Sequence, residues 1–267
     1  MTDEVERPSE FVEALAKGLA VLESFDANHN EMTLSEIARR VDLSPAAARR
    51  SLITLSHLGY VGQTNKRFHL RPKVMSLGSA FYFSAHIDEM LQHELRHIVE
   101  TFGDASSVAT LDGFDVIYIA HFSTQRARRA SAVVGARYPA HATSMGRVLL
   151  AGMEPDKFET WLAEMTPVAL TSKTVIDKEA LRDAIEKVRE QAWSTTVDQL
   201  DYGITALSVP IRGSSGRTIA ALNSSGYSGM VTADQLVEER LQELRLAASR
   251  ISQSLYKNPI FEAIIGA

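Results

Sequence analysis

Residues 32–70 read MTLSEIARRVDLSPAAARRSLITLSHLGYVGQTNKRFHL, and the order of caps, breaks and apolar positions there decides the fold of the N-terminal part. Thr33 is a good N-cap, and Glu36 three residues on completes a capping box that starts a helix. Leu34, Ile37, Ala38 and Val41 recur at helical spacing. Asp42-Leu43-Ser44 makes a turn, Ser44 caps the next helix, and Pro45 takes its first position, where no amide hydrogen is needed. From Pro45 to Leu58, the residues Ala48, Leu52, Leu55 and Leu58 form a stripe for burial. Ala46, Arg50, Ile53 and His57 then point outward at about 100° per residue, with Arg49 and Thr54 on the flanks. Gly59 ends that helix. Tyr60–Gln63 and Arg67–Leu70 pair around Thr64-Asn65-Lys66, whose Asn suits a turn. Two helices, a tight turn and a hairpin in this order make a winged helix-turn-helix.

Charge agrees with that reading. Residues 33–73 hold eight basic side chains against Glu36 and Asp42, a local charge of +6 in a chain whose total is −5. A basic module on an acidic remainder is the electrostatic footprint of a DNA-binding domain. The candidate contact set is Thr33 and Ser35 at the start of the first helix, Ser44, Ala46, Arg49, Arg50 and Thr54 on the second, and Lys66 and Arg67 on the wing. The partner is a double-stranded DNA operator.

Working outward, 267 residues suffice for one small and one medium domain. Cysteine is absent, which removes disulfides, thiolate metal sites and cysteine nucleophiles. There is no run of eighteen apolar residues, and MTDEVERPSE at the N-terminus is polar and acidic, so neither membrane span nor signal is expected and the location is read as cytoplasmic. Residues 1–10 read as a flexible leader. The DNA-binding domain occupies 11–71 and opens on a helix from Phe11 to Phe25, with Phe11, Leu15, Leu19 and Leu22 as its core stripe. A linker helix falls in 72–89, helical from Lys73 to Phe83, and its aromatic Phe81, Tyr82 and Phe83 suggest a dimer seam.

An effector-binding domain fills 90–260. Met90–Thr101 reads as a helix burying Leu91, Leu95, Ile98 and Val99. Ala105–Leu111 and Val116–His121 flank Asp112-Gly113, a strong hairpin signal. Ser131–Val134 reads as a short strand. Thr143 or Ser144 caps a helix to Ala151, Pro155 opens another to Met165, and Asp177–Gln191 is a charged amphipathic helix. Trp193–Val197, Thr205–Pro210 and Thr218–Asn223 finish the sheet, and a long helix starts at the capping box Thr232 to Gln235. The fold class is α+β, with a mainly antiparallel sheet in the C-terminal domain.

Four separated motifs then carry a family resemblance over nearly the whole chain: KGLAVLESF, LSPAAARRSLITLSHLGYV, YPAHATSMGRVLLA and DYGITALSVPIRGSSGRTIAALNSS. The chain resembles IclR-type transcriptional regulators. Within them, GARYPAHATSMGRVLLAG is most similar to the branch that regulates protocatechuate and 4-hydroxybenzoate catabolism. The resemblance implies a winged-helix domain, a linker helix and a GAF-like effector domain. It also implies a homodimer or tetramer on palindromic operators, and a small organic acid bound in a pocket edged by three segments. These are His141, Thr143, Ser144, Met145 and Gly146; Asp198 with the strand through Ile204 and Ala206; and Asn223 with Ser225. Family members commonly carry a small hydroxyl residue where Asn223 stands.

Physically, a carboxylate needs donors that survive desolvation. Ser144, the amides opening the following helix and its dipole supply them, with Met145, Ile204 and Ala206 as apolar walls. Arg137 is a candidate bidentate clamp, with a surface ion pair as its alternative. His93 and His97, with His141, have the spacing of metal ligands, but helical histidines so placed are more often surface residues, so neither metal nor cofactor is expected. The run Arg126 to Arg129 reads as a solvated loop. Elbow, P-loop, dinucleotide and zincin motifs are absent, so no enzyme is expected. The reading is a transcriptional regulator responding to an aromatic acid. A non-aromatic carboxylate, or a hydrolase with an accessory basic domain, are the alternatives.

Overall fold

The computed structural model describes residues 8–26, 28–85, 87–124, 132–257, 262, 263 and 265, with the backbone alone at 80, 82–85, 87 and 88. It divides into two compact units, Met1–Phe81 and Tyr82–Ala267.

In the first unit, helix α1 (Glu13–Glu23) and strand β1 (Glu31–Thr33) precede α2 (Leu34–Arg40) and α3 (Pro45–His57). The Thr33–Glu36 capping box forms, Ser44 Oγ accepts the Ala47 amide, and Pro45 sits at the first helical position of α3. Strands β2 (Val61–Thr64) and β3 (Arg67–Leu70) make the wing. The turn residues Asn65 and Lys66 both have positive φ, +48° and +65°. That is the two-residue turn whose twist matches antiparallel strands. β1 pairs with β3, so the wing sheet has three strands in the order β1-β3-β2, and the first is absent from the sequence reading. Val21, Met32, Ile37, Leu52, Leu55 and Val61 form the core.

Two expected burials fail here. Leu58 is 49% exposed because it is the C-cap of α3, already past the stripe. Leu15 and Leu19 are 61% and 46% exposed, and Phe11 lies outside the helix. α1 turns Val21 toward the core with Leu22 packed beside it, as expected for Leu22, which leaves Leu15 and Leu19 of the heptad stripe outside.

A 3-10 turn at Pro72–Val74 leads into α4 (Met75–Ala85), and Lys73 Nζ fastens it by donating to Leu58 O at 2.8 Å over the Tyr60 ring. The side chains of Tyr82 and Phe83, like residues 1–7 and the run at 126–129, lie outside the described residues.

The second unit is a six-stranded antiparallel sheet covered on both faces. α5 (Ile87–Phe102) buries Leu91, Leu95, Ile98 and Val99 as expected. Next come β4 (Ala105–Asp112), β5 (Asp115–Ser123), β6 (Arg137–Pro139), α6 (Ser144–Ala151), α7 (Pro155–Glu164) and α8 (Lys178–Gln191). β7 (Ser194–Val197), β8 (Ile204–Arg212), β9 (Thr218–Tyr227) and α9 (Ala233–Lys257) complete the unit. The strand order is β6-β5-β4-β9-β8-β7. Residues 132–134 are a bend and turn, not a strand, and Ser131 lies outside the described residues; the edge strand is β6 instead.

Pleating assigns the faces. Phe122 meets Arg96 of α5 and Ser224 meets Arg240 of α9, so these residues mark one face. Ser208 meets Ser144 of α6 and marks the other. On that second side Met145, Val148, Leu149, Phe158, Trp161, Leu162, Ile185 and Val188 pack on Ala109, Val116, Tyr118 and Ala221.

Candidate DNA-reading and effector sites

On α3 the buried residues are Ala48, Leu52 and Leu55, so Ser44, Ala46, Arg49, Arg50 and Thr54 share the solvent side. Thr54 Oγ1 donates to Arg50 O at 3.1 Å, and Ser44 Oγ is occupied as a cap. Arg49, Arg50 and Lys66 pair with no carboxylate among the described residues, whereas Arg40 is tied to Asp26 and Ser24 O. Arg67 differs from the sequence reading: its guanidinium donates to Glu31 O at 3.0 Å and lies 3.7 Å from the Glu31 and Glu36 carboxylates, so it braces the three-stranded wing sheet. The hydroxyl of Thr33 is likewise committed to its capping box, while Ser35 is exposed.

In the second unit the site begins with strand register. Ser194, Ser208, Asn223, Ser107 and His121 are successive cross-strand partners on β7, β8, β9, β4 and β5. They form one polar row across the α6 side of the sheet. Its neighbouring row, Thr196, Ala206, Ser225, Ala105 and Ser123, is made of small side chains. The polar row is internally bonded: Asn223 Oδ1 accepts the Ser107 amide at 2.7 Å, and Ser107 Oγ meets His121 Nδ1 at 2.9 Å. Burial lowers the pKa of His121, which favours the neutral ring at pH 7.

Over this floor stands the N-terminus of α6. Thr143 is its N-cap, accepting the Gly146 amide at 2.9 Å, so Ser144 is free to meet Ser208 Oγ at 2.7 Å. Gly146 is required by packing: a Cβ there would lie 2.1 Å from Ala140 O. That contact lets the 3-10 turn Ala140–Ala142 lie against the helix and presents His141 O to Arg147 Nε at 3.3 Å. The His141 ring is buried, its pKa pushed down by desolvation, with Nε2 3.1 Å from Val168 O.

Arg147 is the residue that sequence reasoning missed. It is 6% exposed, and burial alone lowers its pKa to about 10, so it stays a cation at neutral pH. Its partners are neutral: His141 O, and Gln199 Oε1 at 2.5 Å from Nη2. Among the described residues no carboxylate pairs with it. A buried cation without a counter-ion is costly, and it marks a place where an anion is stabilised. Arg137, by contrast, is half exposed on β6 and clasps Asp112 at 2.5 Å and Asp115 at 3.3 Å. Partial burial opposes its charge, but the two carboxylates outweigh that and raise its pKa. The surface-pair alternative is the one that holds.

A model described as "IclR helix-turn-helix domain" matches residues 14–65, and one described as "Bacterial transcriptional regulator IclR C-terminal" matches residues 80–253. The chain belongs to the IclR family. One IclR relative is the Pca regulon regulatory protein of Pseudomonas putida, 38% identical over 90% of this chain and 83% of that one. Another is the p-hydroxybenzoate hydroxylase transcriptional activator of Acinetobacter baylyi, 30% identical over 92% of each chain. An IclR homolog from Microbacterium hydrocarbonoxydans, solved in complex with 4-hydroxybenzoate, superposes with a TM-score of 0.72 at 26% identity, covering 92% of this chain and all of that one.

In this IclR chain the fold therefore gathers Ser144 with Asn223 through Ser208, and sets Ala206 and Ser225 beside them. Met145 faces the core. Ile204 is half-buried at the start of β8. Asp198 has φ +54° and spends its carboxylate on the Gly203 amide at 2.8 Å and Ser228 Oγ at 2.7 Å, which hold that carboxyl below its usual pKa. It shapes the loop that carries Gln199. The histidines weighed as metal ligands are dispersed: His97 faces Glu243 at 3.4 Å, and among the described residues no group is arranged to hold a metal. No described helix is long and apolar enough to cross a membrane. Arg147 had a visible signal, a lone charge in the apolar run SMGRVLLA; the polar row had none, because it exists only once strand register is known.

Proposed function

We propose that this chain is a transcriptional regulator whose hold on its operator is set by an aromatic carboxylic acid, protocatechuate or 4-hydroxybenzoate. The observation that carries the reading is Arg147, a buried guanidinium facing neutral oxygens only. A carboxylate there makes charge-assisted, potentially bidentate hydrogen bonds. Ser144 and the polar row supply hydroxyl and amide groups for ring substituents, beside a row of small side chains. The names of the Pseudomonas and Acinetobacter relatives and the 4-hydroxybenzoate complex support the same ligand class. The protein acts by binding rather than turnover, and as a homodimer or tetramer, since a palindromic operator is read by a symmetric assembly.

On the DNA side, Arg50 and Arg49 of α3 enter the major groove and Lys66 holds the backbone. The test is retention of the chain's own upstream DNA by the purified protein, over a range of salt, with and without each acid. A salt-sensitive complex altered by either acid is expected. Arg50→Ala should abolish retention and leave acid binding intact. Tight binding indifferent to both acids would return the effector to another chemical class.

A further inference from the structure

Gln199 is held in the seat where a counter-ion for Arg147 would be found. Its Oε1 accepts from Arg147 Nη2 at 2.5 Å and from the Val175 amide at 3.4 Å. Its main chain is stitched to a strap formed by residues 168–175. Thr174 Oγ1 donates to Gln199 O at 2.7 Å, Thr171 Oγ1 donates to Asp198 O at 2.6 Å, and Tyr202 is bonded to Ser172. The same strap reaches His141 through Val168 O. On the opposite side, Asp198 Oδ1 takes the Ser228 hydroxyl, in the turn that joins β9 to α9.

We propose that Gln199 is the resident occupant of the anion seat on Arg147, and that an effector carboxylate takes the seat by displacing the glutamine side chain. The proposal rests on the effector reading above and adds how that site is regulated. Glutamine suits this position by its chemistry. A glutamate at this position would neutralise Arg147 permanently and shut the seat. An apolar residue would leave a buried cation bare. The amide satisfies the guanidinium well enough for the empty domain to fold, yet a carboxylate oxygen is the stronger acceptor for a charged donor, so the exchange runs toward the ligand. Once displaced, the Gln199 side chain gives up the Val175 amide, so the strap loses its bond to that side chain while the main-chain stitches remain. Ligand occupancy is thereby read at the amide of Val175 in the strap. The differential contact is the Gln199 bond itself, present in one state and absent in the other, as any ligand-driven shift requires.

The test titrates protocatechuate and 4-hydroxybenzoate by calorimetry into the full-length protein and the variants Arg147→Gln, Gln199→Glu and Gln199→Ala, with amide hydrogen exchange read over residues 168–175. Wild type should bind and its strap should exchange faster when bound. Gln199→Glu, which carries its own carboxylate to Arg147, should bind at least about tenfold more weakly and show a strap indifferent to the acids. Gln199→Ala should bind as tightly as wild type or more so, with the strap exchanging fast from the outset. If Gln199→Glu matches wild type while Arg147→Gln has lost binding, Arg147 keeps its role and the displacement idea is wrong. If Gln199→Ala weakens binding as much as Arg147→Gln, Gln199 is a ligand contact rather than an occupant. Binding retained by Arg147→Gln, or absent from wild type, overturns the effector reading and the displacement with it.

Discussion

At the scale of single residues, two arginines ten positions apart show what sequence alone conveys. Arg137 precedes the YPAHATSMGR motif and invites the role of carboxylate clamp, but two aspartates of the neighbouring hairpin already hold it. Arg147, inside the motif and flanked by apolar residues, is the buried one. Composition places a charge in a helix; only packing decides whether water or protein surrounds it. The buried histidines make a prediction at this same scale. His121 and His141 both have pKa values lowered from 6.5 by burial, so they bind protons less readily folded than unfolded. Stability from this source is complete above about pH 6.5 and falls as pH drops below it, because the unfolded chain then takes up more protons. The melting temperature should therefore decline from pH 7 to pH 5, and His141→Asn should flatten the decline. A profile equally steep in that variant would mean that other groups govern it.

At the scale of elements, the junction between the Ala140–Ala142 turn and α6 leaves no room for a side chain at Gly146. Gly146→Ala places a methyl against the Ala140 carbonyl and should cost about 1–3 kcal/mol through overpacking, more if the turn cannot shift. Thermal denaturation measures the loss. Acid affinity should fall too, because the turn is what aims His141 O at Arg147; unchanged affinity would detach the turn from the site. Elements with strong local signals were legible in the sequence. The Thr33–Glu36 and Thr232–Gln235 boxes, Pro45, Gly59 and Asp112-Gly113 each fix a boundary by chemistry within a few residues, and helices α2, α3 and α9 and the β4–β5 hairpin follow. What stayed hidden depends on distant partners. β1 and β6 are three residues each and exist because β3 and β5 offer open edges. The helix stripe at Leu15 and Leu19 fits a core by periodicity, yet the core of the small unit is completed by Val21. The polar row was invisible for the same reason, being spread from Ser107 to Asn223.

At the scale of the whole molecule, a chain of net charge −5 carries its positive charge where DNA must be met. Each phosphate neutralised steepens the fall of log affinity against log salt by about 0.9, so the Lys66 side chains of two copies contribute roughly 2 to the slope. Lys66→Ala should make that slope shallower by about 2 for a dimer, without changing which operator is preferred. A slope unmoved by the substitution would place the wing off the backbone. The row of Ser194, Ser208, Asn223, Ser107 and His121 bears on descent. Each side chain hangs from a different strand, and one of them, Asn223, also holds the backbone amide of Ser107. Such a floor behaves like a keyboard with some keys tied together: a lineage changes its taste in small molecules by substituting side chains on a shared sheet, with Ser107, His121 and Asn223 changing as a group because they bond one another.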